Sequence, residues 1–251
     1  MKEFPYPEFF ARFYDIIYQH LRYGEDHSFY LSQIRKTRGP VLEVGVGTGR
    51  LFKDALEQKA DVYGIDVSES MLEILKGRLN PKNQFRISRQ NATDFRFSGQ
   101  FDLIIAPFRM FMHLLDMEDQ MAALSNIRNH LSENGLFIFD IFVPDLELLK
   151  EGLEDILDFE GEYEAGKALK RYVTTQPDLI SQQLEATFKI EWVEGSLWKK
   201  ETWKVPLRFF FRYELEHLVE RAGFSKHSIY GDFGATPLQK DSKEFVVVCH
   251  K

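Results

Sequence analysis

One stretch limits what this chain can fold into more than any other: Val41-Leu42-Glu43-Val44-Gly45-Val46-Gly47-Thr48-Gly49-Arg50. It begins as a buried-strand pattern, passes into a glycine-rich turn and continues as a helix. Glycines at 45, 47 and 49 allow a tight turn and let the backbone approach a ligand where a Cβ would clash. A nicotinamide-type fingerprint needs Gly-x-Gly-x-x-Gly, and its third position falls on Arg50. The spacing therefore favours another nucleoside ligand. Val62-Tyr63-Gly64-Ile65-Asp66 follows, a strand ending in a carboxylate about twenty residues after the turn, where in such folds an acidic side chain accepts hydrogen bonds from the ribose hydroxyls. Asp66 is the expected ribose clamp; a helix cap is its competing role.

The rest of the chain reads as alternating strands and helices. Residues 7–37 are helical by the spacing of Phe9, Phe10, Phe13, Ile16, Ile17, Leu21, Phe29, Tyr30 and Ile34, and end at Gly39-Pro40. Apolar runs at 41–46, 62–65, 85–88, 101–106 and 136–143 alternate with helical patterns, which indicates crossover units and a parallel sheet. After Pro144 the period changes. Stretches at 169–176, 184–193 and 198–211 read as strands separated by turns, with Pro206 confining the last to an edge or a bulge. A helix at 213–222, stopped by Gly223, and strands at 226–230 and 244–249 complete the pattern.

Composition narrows the function classes. Of 251 residues, 44% are hydrophobic and 14% aromatic, so the chain builds a continuous core. A formal charge of -7 argues against a nucleic-acid surface, which would carry clustered Lys and Arg. The single cysteine, Cys249, excludes an intrachain disulfide and fits a reducing, cytoplasmic setting. The N-terminus lacks a signal-peptide core, and no long apolar run spans a membrane. The histidines show no metal-ligand spacing, so no metal is expected.

Glu43 two residues before the first glycine, Gly45-x-Gly47-x-Gly49, and Asp66 followed by Ser68-x-Ser70-Met71-Leu72 resemble the first two motifs of the class I S-adenosylmethionine (SAM) dependent methyltransferases. The resemblance covers most of the chain. It implies a Rossmann-like α/β fold with a seven-stranded, mostly parallel sheet and helices on both faces. A helical lid over 1–40, a SAM-binding core over 41–143 and 212–251, and an antiparallel β insertion over 144–211 would make up the domains. By the same resemblance Gly45 and Gly47 lie against the methionine part of SAM, Gly49 belongs to the same cofactor-binding turn, Glu43 supports the site around the amino group, and Val67 and Met71 flank the adenine. Asn91 and Ala92, in Gln90-Asn91-Ala92-Thr93-Asp94, stand where the third motif reads the adenine edge, with Asp94 as the alternative. Ala106 ends the strand that faces the sulfonium.

Tyr14-Asp15-Ile16-Ile17-Tyr18 is similar to the Tyr-Asp-x-x-Tyr segment of a small-molecule subgroup that includes sugar-amine N-methylating enzymes. Tyr14 would then touch the cofactor, and Tyr18 and Tyr172 the acceptor. His113 is the expected base or acceptor contact, because its ordinary pKa is near neutrality. Arg109 is a candidate for catalysis or for an acceptor anion, and an ion pair with a nearby acid is its other role. Trp192, Trp198 and Trp203 belong to a pocket wall or a homodimer contact. A nucleic-acid amino-methyltransferase would show Asn or Asp-Pro-Pro-aromatic after strand four, where this chain has Ala106-Pro107-Phe108. The expected activity is methyl transfer to a small N- or O-nucleophile, leaving S-adenosylhomocysteine. A nucleoside-binding relative without turnover and a nicotinamide oxidoreductase are the competing readings.

Overall fold

A computed structural model describes residues 4–21 and 24–251. Its N-terminal part contains two helices, α1 (Glu8–Leu21) and α2 (Glu25–Lys36), where the periodicity predicts one continuous helical segment. Gly24, in the left-handed region at φ 77, starts the second. The core then runs β1 (Val41–Val44), α3 (Arg50–Glu57), β2 (Val62–Asp66), α4 (Glu69–Arg78), β3 (Ile87–Arg89), β4 (Phe101–Ala106), α5 (Met117–His130) and β5 (Leu131–Phe142). A short helix α6 (Leu146–Glu151) leads into β6 (Leu153–Glu164), β7 (Lys167–Asp178), β8 (Gln183–Glu194) and β9 (Leu197–Arg208). The chain closes with α7 (Arg212–Arg221), β10 (Lys226–Tyr230) and β11 (Glu244–His250).

The large sheet has seven strands in the order β10-β11-β5-β4-β1-β2-β3. β1 pairs in parallel with β2 and with β4, and of the seven strands β11 alone runs against the others, pairing antiparallel with both β5 and β10. Strand β1 is buried along its length, as a central parallel strand covered on both faces must be. Because β4 and β2 flank β1, their C-terminal ends open a crevice where the strand order reverses, and ligands of such sheets collect there.

The region after β5 is a separate antiparallel sheet, β6-β7-β8-β9. Pro206 lies in edge strand β9. Strand β6 escapes the sequence reading because six acids dilute its apolar pattern and its pairing with β7 shifts register repeatedly. The run at 85–88 is shifted as well: Asn80 accepts from the Lys82 N–H and starts a 3₁₀ turn over Pro81–Arg86, which leaves Phe85 70% exposed and delays β3 to Ile87. Helix α1 joins the small sheet to the rest. Phe10, Phe13 and Ile17, one stripe of α1, are fully buried against Phe159, Leu169, Ile190 and Trp192. Each such side chain contributes about 1.5–3 kcal/mol of burial.

Candidate active site

The glycine turn after β1 is held open by its own backbone. Gly45, Gly47 and Gly49 have φ of 78, 55 and 80, a region that disfavours any side chain. Gly47 faces open space, whereas an added Cβ at Gly45 would lie 2.5 Å from Met110 Cγ. The Gly47 N–H donates to Asp66 Oδ2 at 2.8 Å and the Ser68 N–H donates to Asp66 Oδ1 at 2.8 Å. These two bonds fix the carboxylate at the mouth of β2. Burial nevertheless raises its pKa above the usual range. Glu43 is 1% exposed, and its Oε2 has no hydrogen-bond partner among the described residues. Its pKa is pushed well above 4.5, first by burial and then by the neighbouring Asp66 charge, with Arg50 opposing. A buried acceptor without a donor is costly and points to a donor that arrives from outside the chain.

Two adjoining cavities lie at this crevice. The narrow one, about 110 Å³, is lined by Gly45, Gly47, Asp66, Val67, Met71, Asn91 and Ala92, with Tyr14 on the opposite wall. Glu43, Gly49 and Ala106 do not line it; they stand behind its wall, where Leu75 packs on Gly49 and Ala106 is fully buried in the sheet. Asn91 Oδ1 accepts from the N–H and hydroxyl of Thr93, while the alternative, Asp94, is exposed and outside the cavity. The wide cavity, about 830 Å³, has aromatic walls that include Tyr18, Phe142, Phe188 and Trp203. Tyr6, Tyr14, Phe108 and His113 line both.

The 3₁₀ turn Met110–His113 after β4 delivers His113 to this junction. The Tyr6 hydroxyl lies 3.5 Å from its Nε2. Although part of the ring faces the cavities, the enclosing protein lowers its pKa to about 4. The imidazole is therefore neutral at neutral pH, and the expectation of a near-neutral base is corrected by burial. Arg109 borders the wide cavity but is paired: its Nη2 donates to Glu244 at 2.6 Å, and its guanidinium lies 5.3 Å from the Phe142 ring centroid. Tyr172 is displaced from the site. Alternation along β7 turns Arg171 inward and Tyr172 to the other face, where Lys189 Nζ sits 4.0 Å from its ring centroid. Arg171 itself is held by Asp158 through Nε at 3.0 Å and Nη2 at 2.6 Å. The tryptophans separate: Trp203 lines the wide cavity, Trp192 packs under α1, and Trp198 is exposed.

Sequence reading missed three elements. Tyr6 stands between the cavities because its carbonyl accepts from the Ser68 and Ser70 hydroxyls at 3.1 Å each. Asp15, inside the tyrosine motif, accepts from Thr48 of the glycine turn and pairs with Arg78, so α1 is fastened to both α4 and that turn. Asp140, fully buried on β5, accepts the backbone N–H groups of Phe108 and Arg109 at 2.9 and 3.2 Å. Only the Ser-x-Ser and Tyr-Asp patterns were visible as signals, and neither named its partner.

Residues 41–135 match the family model of the methyltransferase domain. A glycine/sarcosine N-methyltransferase of Halorhodospira halochloris is 29% identical over 244 residues, covering 94% of this chain and 85% of that one. Residues 41–135 are a methyltransferase domain. An uncharacterized methyltransferase of Bacillus thuringiensis shares 32% identity over 138 residues, 55% of this chain and 57% of its own. The chain also shares its fold with solved structures at low identity. A SAM-dependent methyltransferase from Clostridium acetobutylicum superposes with a TM-score of 0.76 at 18% identity, covering 96% of this chain and 97% of that one. The sugar N-methyltransferase KedS8 from Streptoalloteichus gives 0.74 at 15%, covering 95% and 92%. The orphaned Glu43 carboxylate, the open space at Gly47 and the braced Asp66 fit the cofactor of such an enzyme, which offers an amino group and ribose hydroxyls. No helix among the described residues is long and apolar enough to cross a membrane.

Proposed function

We propose that the narrow cavity seats SAM and the wide cavity a small amine, and that the methyl group passes between them at the junction of Tyr6, Tyr14, Phe108 and His113. The observation that carries this reading is that these four residues line both cavities. Bound SAM supplies a sulfonium leaving group, so the protein need only place a lone pair in line with the methyl and exclude water. Asp66 holds the ribose hydroxyls, Glu43 balances the amino group from behind the glycine turn, Val67 and Met71 flank the adenine, and the Asn91 amide reads its edge. Met110 swings off Gly45 to admit the methionine part. The aromatic walls keep water from the junction.

The acceptor arrives as the free amine. His113, neutral through burial, orients an N–H of the acceptor through its lone pair and does not store the proton. The proton released with the methylated product leaves through the wide cavity. Glycine/sarcosine and sugar N-methyltransferases among the relatives support nitrogen as the acceptor atom. The cavity of about 830 Å³ is larger than glycine fills and admits an amine of sugar size. Helix α1 and the β6–β9 sheet form its cover and outer wall.

Calorimetric titration of SAM into the protein and into Asp66→Ala tests the cofactor half. Micromolar binding that the substitution weakens at least tenfold, about 1.4 kcal/mol, is the expected result. A screen of glycine, sarcosine and amino sugars for S-adenosylhomocysteine release tests the acceptor half. Turnover with a hydroxyl acceptor and none with any amine would refute it.

A further inference from the structure

Phe108 and Arg109 are consecutive non-glycine residues in the left-handed region, at φ 59 and 67. Both side chains favour other backbone conformations, so something must hold them there. Their two N–H groups converge on the two oxygens of one carboxylate: Phe108 N–H on Asp140 Oδ1 at 2.9 Å and Arg109 N–H on Oδ2 at 3.2 Å. The Tyr30 hydroxyl of α2 donates to Oδ1 as well, at 2.6 Å. Asp140 lies in the middle of the large sheet and is fully buried. A valine or alanine there would satisfy the sheet without the desolvation of a carboxylate.

The turn that Asp140 holds begins the segment from β4 to His113. Phe108 faces both cavities, and its ring is fixed on a second side by the Arg50 guanidinium, 4.9 Å from the centroid. Met110, over Gly45, and His113 follow within the same turn. We propose that Asp140 is a positioning residue for methyl transfer: its carboxylate holds Phe108 and Arg109 in the left-handed turn and thereby sets where Phe108 and His113 stand between cofactor and acceptor. Tyr30 ties the same carboxylate to α2. The inference rests on the junction assigned above but uses no knowledge of the acceptor.

Asp140→Asn is the test, because it keeps size and one acceptor oxygen while turning a donor toward the second N–H. Residue-resolved amide exchange should show Phe108 and Arg109 losing protection at least tenfold. SAM affinity by calorimetry should stay within threefold of wild type, and kcat with the best amine of the screen should fall at least tenfold. Tyr30→Phe, which spares both backbone bonds, should keep the protection and slow turnover less than threefold. Unchanged exchange at these two amides overturns the proposal. So does a parallel loss of SAM affinity, kcat and thermal stability by similar factors, which would mark Asp140 as part of the general packing. A wild-type protein that turns over no amine yet shows the expected exchange pattern refutes the acceptor reading and leaves the carboxylate's hold on the turn supported.

Discussion

Asp66 is kept in the narrow cavity by two backbone N–H groups from within twenty residues of it, whereas the wide cavity takes its walls from α1, β7, β8, β9 and the segment before β11. The first is backbone recognition over a short chain segment. The second is an assembly of aromatic side chains from distant elements. On the assignment proposed above, such a division would let one half bind an invariant nucleoside while the other adapts to an acceptor, since backbone donors are indifferent to side-chain replacement and aromatic walls are not.

The largest test of this contrast is Phe13→Ala. Removing a fully buried ring between α1 and the small sheet should cost about 3–5 kcal/mol in urea unfolding, in a single transition. Two transitions would mean that the halves are thermodynamically separate. Gly45→Val comes next, because its side chain must displace Met110 at a φ of 78. A loss of SAM affinity of a hundredfold or more, about 2.7 kcal/mol, is expected, with little change in fold by circular dichroism. Trp203→Ala should do the opposite: a rise in acceptor KM of about tenfold, about 1.4 kcal/mol, with SAM affinity within twofold.

Glu43→Gln sharpens the cofactor side through pH. The wild-type carboxylate has a folded pKa above its ordinary value of 4.5, so its contribution to stability is full below that value and is lost as pH rises through the raised one. The unliganded variant should therefore melt higher than wild type at pH 8, with the difference shrinking toward pH 4.5, while binding SAM more weakly. The smallest effect concerns His113. With its pKa lowered to about 4, it should give turnover no inflection between pH 6 and 8 beyond that of the acceptor amine, and His113→Asn should leave the shape of the profile unchanged.

The grouping of residues at the narrow cavity was legible in the sequence for the same reason that it is local. Gly45, Gly47 and Asp66 announce their proximity through spacing along one β-α-β unit, and backbone geometry does the rest. Tyr172 was misplaced because its role depended on which face of β7 looks inward, and the neighbouring Arg171, a charged residue, gave no sign of being the buried one. His113 stood at the expected place, but its titration is set by enclosure, which spacing does not encode. Asp140 accepts from backbone N–H groups 31 and 32 positions away, and the Tyr6 carbonyl accepts from serine hydroxyls more than 60 positions away, so no short motif could announce them.

The β6–β9 sheet leaves the core at Gly152, where a Cβ would meet the Thr175 carbonyl at 2.3 Å, and rejoins it through the buried Phe209 and Phe210. None of its residues lines the narrow cavity. On the proposed assignment of the two cavities it is a cassette with two splice points, and substitutions on its inner face would change which acceptor is read while the nucleoside end of the reaction stays as it is. Transplanting residues 152–208 between enzymes of this fold becomes a way to move acceptor choice as a unit, provided the α1 stripe of Phe10, Phe13 and Ile17 travels with it.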